Sequence, residues 1–194
     1  MIIRFLLPLL FLVAAGPVWA ADTPYAGLQN RPIKALSAQE IGDLRAGRGM
    51  GLALAAELNN YPGPRHALDL SDPLGLSSDQ KSRISILFDE MAARAQSLGA
   101  QILDAEARLD RSFAAGDAVD AALRSMTADI AGLKGELRYV HLRYHLVVRD
   151  LLSKEQIARY GALRGYGSAD GKKRPAHGRN GSRQEHGGAH GGHR

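Results

Sequence analysis

The stretch DAEARLDRSFAAGDAVDAALRSM, Asp104 to Met126, decides the fold. Before Gly116, the apolar residues Ile84, Phe88, Met91, Ala95, Leu98, Ile102, Ala105 and Leu109 fall at alternating spacings of four and three. After it, Val119, Leu123, Met126, Ile130, Leu133, Leu137, Val140, Tyr144, Val147 and Leu151 do the same. A repeat averaging about 3.5 residues keeps one apolar stripe along one face of an α-helix, as in coiled-coil seams. Between the runs, AAGDA supplies Gly116 as a helix stop and Asp117 as an N-cap for the next helix. So short a link permits only an antiparallel return. The expected core is a helical hairpin with arms of roughly 35 residues, on the order of 50 Å each at about 1.5 Å per residue.

Working outward, no run alternates apolar and polar residues with β-branched enrichment, so the fold class expected is all-α. Two arms alone leave apolar surface that shorter elements must cover. Ser37-Ala38-Gln39-Glu40 has the S-x-x-E form of a capping box and opens a helix carrying Ile41 and Leu44. Gly47, Gly49 and Gly51 then make a bent stretch before Leu52 to Leu58. Without a preceding strand this G-x-G-x-G reads as a kink or close helix crossing and not as a phosphate loop. Tyr61-Pro62-Gly63-Pro64 breaks the chain, and a short helix from about Arg65 to Asp72 precedes Pro73.

At the N-terminus, MIIRFLLPLLFLVAAGPVWA has one basic residue, a short apolar run and small residues flanking Trp19. Residues 1–20 therefore read as a secretory signal peptide cleaved after Ala20, and the expected location is the periplasm. Residues 21–36 are expected to be an extended segment, 37–166 the helical-hairpin domain, and 167–194 a disordered tail rich in Gly, Arg and His. No later run is long and apolar enough for a transmembrane segment. The chain has no cysteine, which excludes disulfides and thiolate metal sites. Its formal net charge is +5, and Lys172, Lys173, Arg174, Arg179, Arg183 and Arg194 place the excess in the tail. The folded body is then near neutral, and nucleic acid is not an expected partner.

Leu76-Ser77-Ser78-Asp79-Gln80 and Leu152-Ser153-Lys154-Glu155-Gln156 are two copies of L-[ST]-x-x-Q, one opening the first arm and one following the second. Each is a helix start in which the serine caps free amides and the glutamine reaches back to the amide of the cap residue. Leu152 can also staple onto Ile157, whereas the first copy has Lys81 at that place. Paired boxes bracketing a long hairpin, behind a signal peptide and without cysteine, resemble the Spy/CpxP family of periplasmic stress proteins. They also resemble the related heavy-metal resistance and sensor proteins of the CnrX and ZraP type. The resemblance covers roughly Leu36 to Tyr166, with Ser in place of the commoner Thr in both boxes. It implies a small all-α protein, often a homodimer, that binds unfolded clients, a membrane-bound signalling partner or metal ions.

His141 and His145 stand four apart near the end of the second arm, a spacing that puts two imidazoles on one helix face. Each follows a seam residue, Val140 or Tyr144, in a segment apolar nearly all round. Folding about Gly116 brings Phe88 to Ala92 opposite, with Asp89, Glu90 and Met91 as further possible ligands. By resemblance to the CnrX type, His141 and His145 match the ligand pair of the last long helix and Glu90 the carboxylate of the preceding one. The chain departs in having only His66 before the hairpin; Asp69 or His66 can complete a weaker site. The alternative is that the pair hydrogen-bonds to carboxylates such as Asp89 or Asp150. An ion held here is expected to be a divalent transition metal, Zn, Ni, Co or Cu, and no organic cofactor is expected. His177, His186, His190 and His193 give the tail a second, looser metal-binding route.

No enzyme is expected: there is no H-E-x-x-H, no cysteine and no serine in an activating context. The expectation is a non-enzymatic periplasmic heavy-metal resistance or sensor protein, with an ATP-independent chaperone of the Spy/CpxP kind as the alternative.

Overall fold

The structure, a computed structural model, describes residues 24–166. The leader and the tail read above, with His177, His186, His190 and His193, lie outside the described residues. Within them the chain is all-α, and no strand occurs. Six helices follow in order: α1 Ala38–Arg45, α2 Leu54–Glu57, α3 Pro64–Asp69, α4 Ser78–Ala115, α5 Asp120–Leu151 and α6 Lys154–Leu163. The long arms α4 and α5 have 38 and 32 residues and pack against one another as the antiparallel hairpin.

The turn differs in one detail from the expectation. Gly116 takes left-handed backbone (φ 76°) and ends α4, with its amide bonded to Phe113 O and that of Asp117 to Ser112 O. Those two bonds are the Schellman closure. Asp117 is spent on it, its carboxylate accepting from Ser112 Oγ at 3.0 Å, and α5 starts three residues later without a side-chain cap at Val119.

The seam follows the heptads in the middle of the arms and drifts at the base. Ile84, Met91, Ala95, Ile102 and Ala105 of α4 are buried, as are Ile130, Leu137, Val140 and Tyr144 of α5. Toward the C-terminal end of α5, Val148 and not Val147 is fully buried, and Val119 at the other end is exposed. The cause is a third layer. A straight helix drifts relative to a 3.5 repeat, and α2, α3 and α6 cover the flank of α5 that carries His141, His145 and Val148, together with Leu152 just after it.

The N-terminal segment before α1 is a chain of turns with a 3-10 turn at Leu28–Asn30, not an extended run. It turns back because Ile33 and Leu36 join Ile41 and Leu44 of α1 in a core with Ala95, Ile102, Leu103 and Leu137 of the hairpin. Gly99 makes that packing possible, since a Cβ there would overlap the carbonyl of Leu44. The Ser37–Glu40 capping box is present as read.

Both L-S-x-x-Q starts form reciprocal capping boxes. They also meet. Gln80 Nε2 donates to Gln156 Oε1 at 3.0 Å, Gln156 Nε2 returns a bond to Gln80 Oε1 at 3.1 Å, and Gln80 reaches Leu151 O at 2.8 Å. Around this pair Leu76, Ile84, Val148, Leu152 and Tyr160 form the base of the hairpin, with Ile157 packed beside them. None of the described helices is long and apolar enough to cross a membrane.

Candidate functional site

Between the base of the hairpin and the N-terminal layer lies a cavity of about 630 Å³. Its roof is the loop joining α1 to α2, including Gly47, Gly49 and Gly51. Gly47 (φ 63°) brings that loop so close to α4 that a Cβ would stand 3.0 Å from Ala92 O and from Gln96 N, so at Gly47 a loop, and not a helix, crosses α4 closely. The floor is apolar, with Phe88, Met91 and Ala92 of α4. Into this space open Glu57, His66, His141 and His145, together with Arg164 and Tyr166.

The helical pair is brought together as its spacing required. His141 and His145 are 4% and 7% exposed, which for imidazoles on a small helical body marks enclosure. The Nδ1–H of His145 donates to Tyr61 O at 2.6 Å. A carbonyl only accepts, so the neutral ring keeps its lone pair on Nε2. Tyr61 is itself held by the Arg149 guanidinium, 4.2 Å above its ring centroid. Gly63 presses on the His145 ring, where a Cβ would come within 2.8 Å of Nε2. His141 is less well supplied, its Nε2 being buried with no hydrogen-bond partner. Burial first, and then the neighbouring charge of His145, lowers its pKa below the usual imidazole value.

The carboxylate that serves this site is Glu57, which reading the sequence missed. Glu57 is 5% exposed at the end of α2. Its Oε1 accepts from Tyr160 Oη at 2.5 Å, Arg164 Nε at 3.1 Å and Tyr166 Oη at 3.1 Å, and His66 Nδ1 lies 3.2 Å from the same oxygen. Oε2 is buried and without a hydrogen-bond partner, with His145 Nδ1 3.9 Å away. Burial alone would raise the Glu57 pKa, but the donors from His66, Tyr160 and Tyr166 and the His66 charge outweigh it and hold the carboxyl at about 2.

Glu90 does not take this place. It is exposed on α4, does not line the cavity, and accepts from Tyr144 Oη at 3.3 Å. Asp89 and Asp150 are exposed, and neither is the hydrogen-bond partner of His141 or His145. Asp69 pairs with Arg65. His66, half-exposed at the rim, is engaged with Glu57. The L-S-x-x-Q residues Leu76, Ser77, Gln80, Leu152, Ser153 and Gln156 lie outside the cavity and serve the hairpin base.

The donor set, two imidazoles with a carboxylate and a third imidazole at the rim, suits a borderline divalent ion. Two of its buried polar atoms, His141 Nε2 and Glu57 Oε2, have no hydrogen-bond partner. As arranged, however, no three His, Asp or Glu side chains among the described residues converge on one point. A complete coordination sphere would need His66 or Glu57 to reorient. In comparisons with known proteins, the chain matches no family model, no curated protein and no solved structure.

Proposed function

We propose that this chain is a non-enzymatic periplasmic protein of the heavy-metal resistance and sensor class, resembling the CnrX and ZraP type, which binds a divalent transition metal in the cavity. The observation that carries the reading is that His141 and Glu57, which both line the cavity, each keep a buried polar atom, Nε2 and Oε2, without a hydrogen-bond partner. Leaving such groups bare costs roughly 1 to 3 kcal/mol each, and a bound cation removes that cost. With Glu57 or His66 reoriented, His141, His145 and Glu57 would hold the ion, and His66 is the fourth donor within the lining. The His145–Tyr61 bond is the kind of outer support that orients a ligating imidazole. In this class the ion is cargo or signal, not a reagent.

Calorimetric titration with Zn, Ni, Co and Cu(II) tests the proposal. One ion per chain should bind in a manner lost in His141→Ala and weakened at least roughly tenfold in Glu57→Gln. Equal binding by the wild type and both variants sinks it.

A second reading, the ATP-independent chaperone, is favoured by one feature. Tyr139 and Leu146 on α5 are 55% and 54% exposed, and the half-buried Leu142 lies between them on the same outward stripe. Such a stripe suits an unfolded client or a second copy of the chain. Suppression of aggregation of a denatured reporter without metal, lost in Leu146→Glu, would support that reading over the first.

A further inference from the structure

The cavity, at about 630 Å³, is larger and more apolar than an ion requires. An ion with four coordinating waters, at about 30 Å³ each, fills only about a fifth of the space. Cavities of roughly 300 to 1,000 Å³ are the size that holds small organic molecules. The floor of Phe88, Met91 and Ala92 is a surface for a carbon skeleton. Met50 and Leu54 line the same space, yet they are 42% and 54% exposed. Met50 also holds left-handed backbone (φ 42°), a conformation that residues with a side chain seldom adopt. Strain of that kind gathers where a chain clamps a ligand.

The charge of the lining has a sign. Arg48, Arg65 and Arg164 border the cavity, against Glu57 as the one acid among its lining residues. Glu57 is already met by Arg164, Tyr160 and Tyr166. Asp43 and Asp69, the partners of Arg48 and Arg65, do not line the cavity. Arg65 reaches Asp69 through Nε, at 3.0 and 3.1 Å to its two oxygens, so the two terminal nitrogens remain as donors. The same guanidinium stands 5.9 Å from the centroid of the Phe88 ring. One side chain thus joins the cationic rim to the apolar floor.

We propose that the cavity binds a small organic anion, a carboxylate with an apolar body, whose head meets Arg65 and whose body lies between the Phe88–Met91 floor and the roof loop. A guanidinium matches a carboxylate in plane and can give it two parallel hydrogen bonds. Withdrawal of the carbon skeleton from water drives entry, and the arginines select the sign of the head. This binding is independent of the ion proposed above, since it calls on neither His141, His145 nor Glu57.

Sodium decanoate, kept below its micelle concentration, is the probe, with the full chain in excess EDTA so that no metal contributes. With isotope-labelled methionine methyl groups, the Met50 and Met91 signals should shift on titration. That of Met126, which lies nearer the turn on α5 and does not line the cavity, should stay in place. Calorimetry should give one site per chain, with decanoate bound at least roughly 10-fold more tightly than decylammonium. In Arg65→Met that preference should fall to roughly 2-fold or less. Leu54→Glu, a change at an exposed position, should weaken decanoate roughly 10-fold and carries the test if loss of Arg65 disturbs α3. Absence of decanoate binding, shifts of equal size at Met50, Met91 and Met126, or equal binding of decanoate and decylammonium by the wild type overturns the proposal.

Discussion

Glu57 is a buried carboxylate kept ionised by its neighbours, and that makes acid the natural probe of the metal-free protein. Its folded pKa of about 2 lies below the ordinary 4.5, so its stabilising contribution is fully present above 4.5 and is lost as pH falls toward 2. The shift corresponds to on the order of 3 kcal/mol. His141 acts in the same sense at higher pH. Its pKa is lowered chiefly by burial, so the neutral ring favours the fold above the ordinary 6.5 and that support fades as pH drops below it. Urea unfolding across this range should give stability falling in acid, with Glu57→Gln flattening the segment between 4.5 and 2. A variant curve parallel to wild type there would show that Glu57 does not titrate in this way. The histidine pair was legible because four-residue spacing on a helix is a local signal. Glu57 was not. It is one acid in the run Leu52 to Leu58, its helix is too short to show a period, and its partners Tyr160, Arg164 and Tyr166 lie more than a hundred residues along the chain.

At the scale of the helices, glycines of like appearance have opposite roles. Gly99, Gly132 and Gly135 all sit inside the long arms, where glycine costs about 1 kcal/mol relative to alanine. Around Gly132 and Gly135 a methyl group would meet nothing within 4 Å, whereas at Gly99 it would collide with the backbone of α1. Gly132→Ala and Gly135→Ala should each stabilise the chain by roughly 0.5 to 1 kcal/mol. Gly99→Ala should destabilise it by about 1 to 3 kcal/mol. Thermal melts of the three variants decide the matter, and a stabilised Gly99→Ala would contradict the described approach of α1 to α4. The arms were legible because heptads extend over many turns and Gly116 punctuates them. The path of residues 46–63 was not, since a loop with left-handed backbone at Gly47, Met50 and Gly51 is set by what it crosses, not by any period. The meeting of the two L-S-x-x-Q boxes was likewise hidden. Each box explains itself locally as a cap, and only the hairpin brings Gln80 beside Gln156.

Over the described residues, the chain is a long hairpin with its turn at one end and most of its cross-layer chemistry at the other, the Lys34–Asp110 and Lys134–Glu106 pairs lying nearer the turn. The cavity, the joined glutamines and the α6 contacts to Glu57 are gathered at the base, where α3, α4, α5 and α6 meet. That placement has a consequence in time. Contacts next to Gly116 close short loops, while Gln80 and Gln156 are separated by 76 residues, so pairing of the arms costs least beginning at the turn and most at the base. The base is then the last region to assemble and the first to open. Substitutions there, such as Gln156→Ala, should speed unfolding and leave the folding rate nearly unchanged, whereas Ile130→Ala nearer the turn should slow folding. Stopped-flow measurements on the two variants distinguish these limbs, and a folding rate depressed mainly by the Gln156 change would reverse the order. A cavity that forms last opens on the shortest route of unfolding, so an ion could enter and leave through partial opening while the rest of the hairpin stays paired.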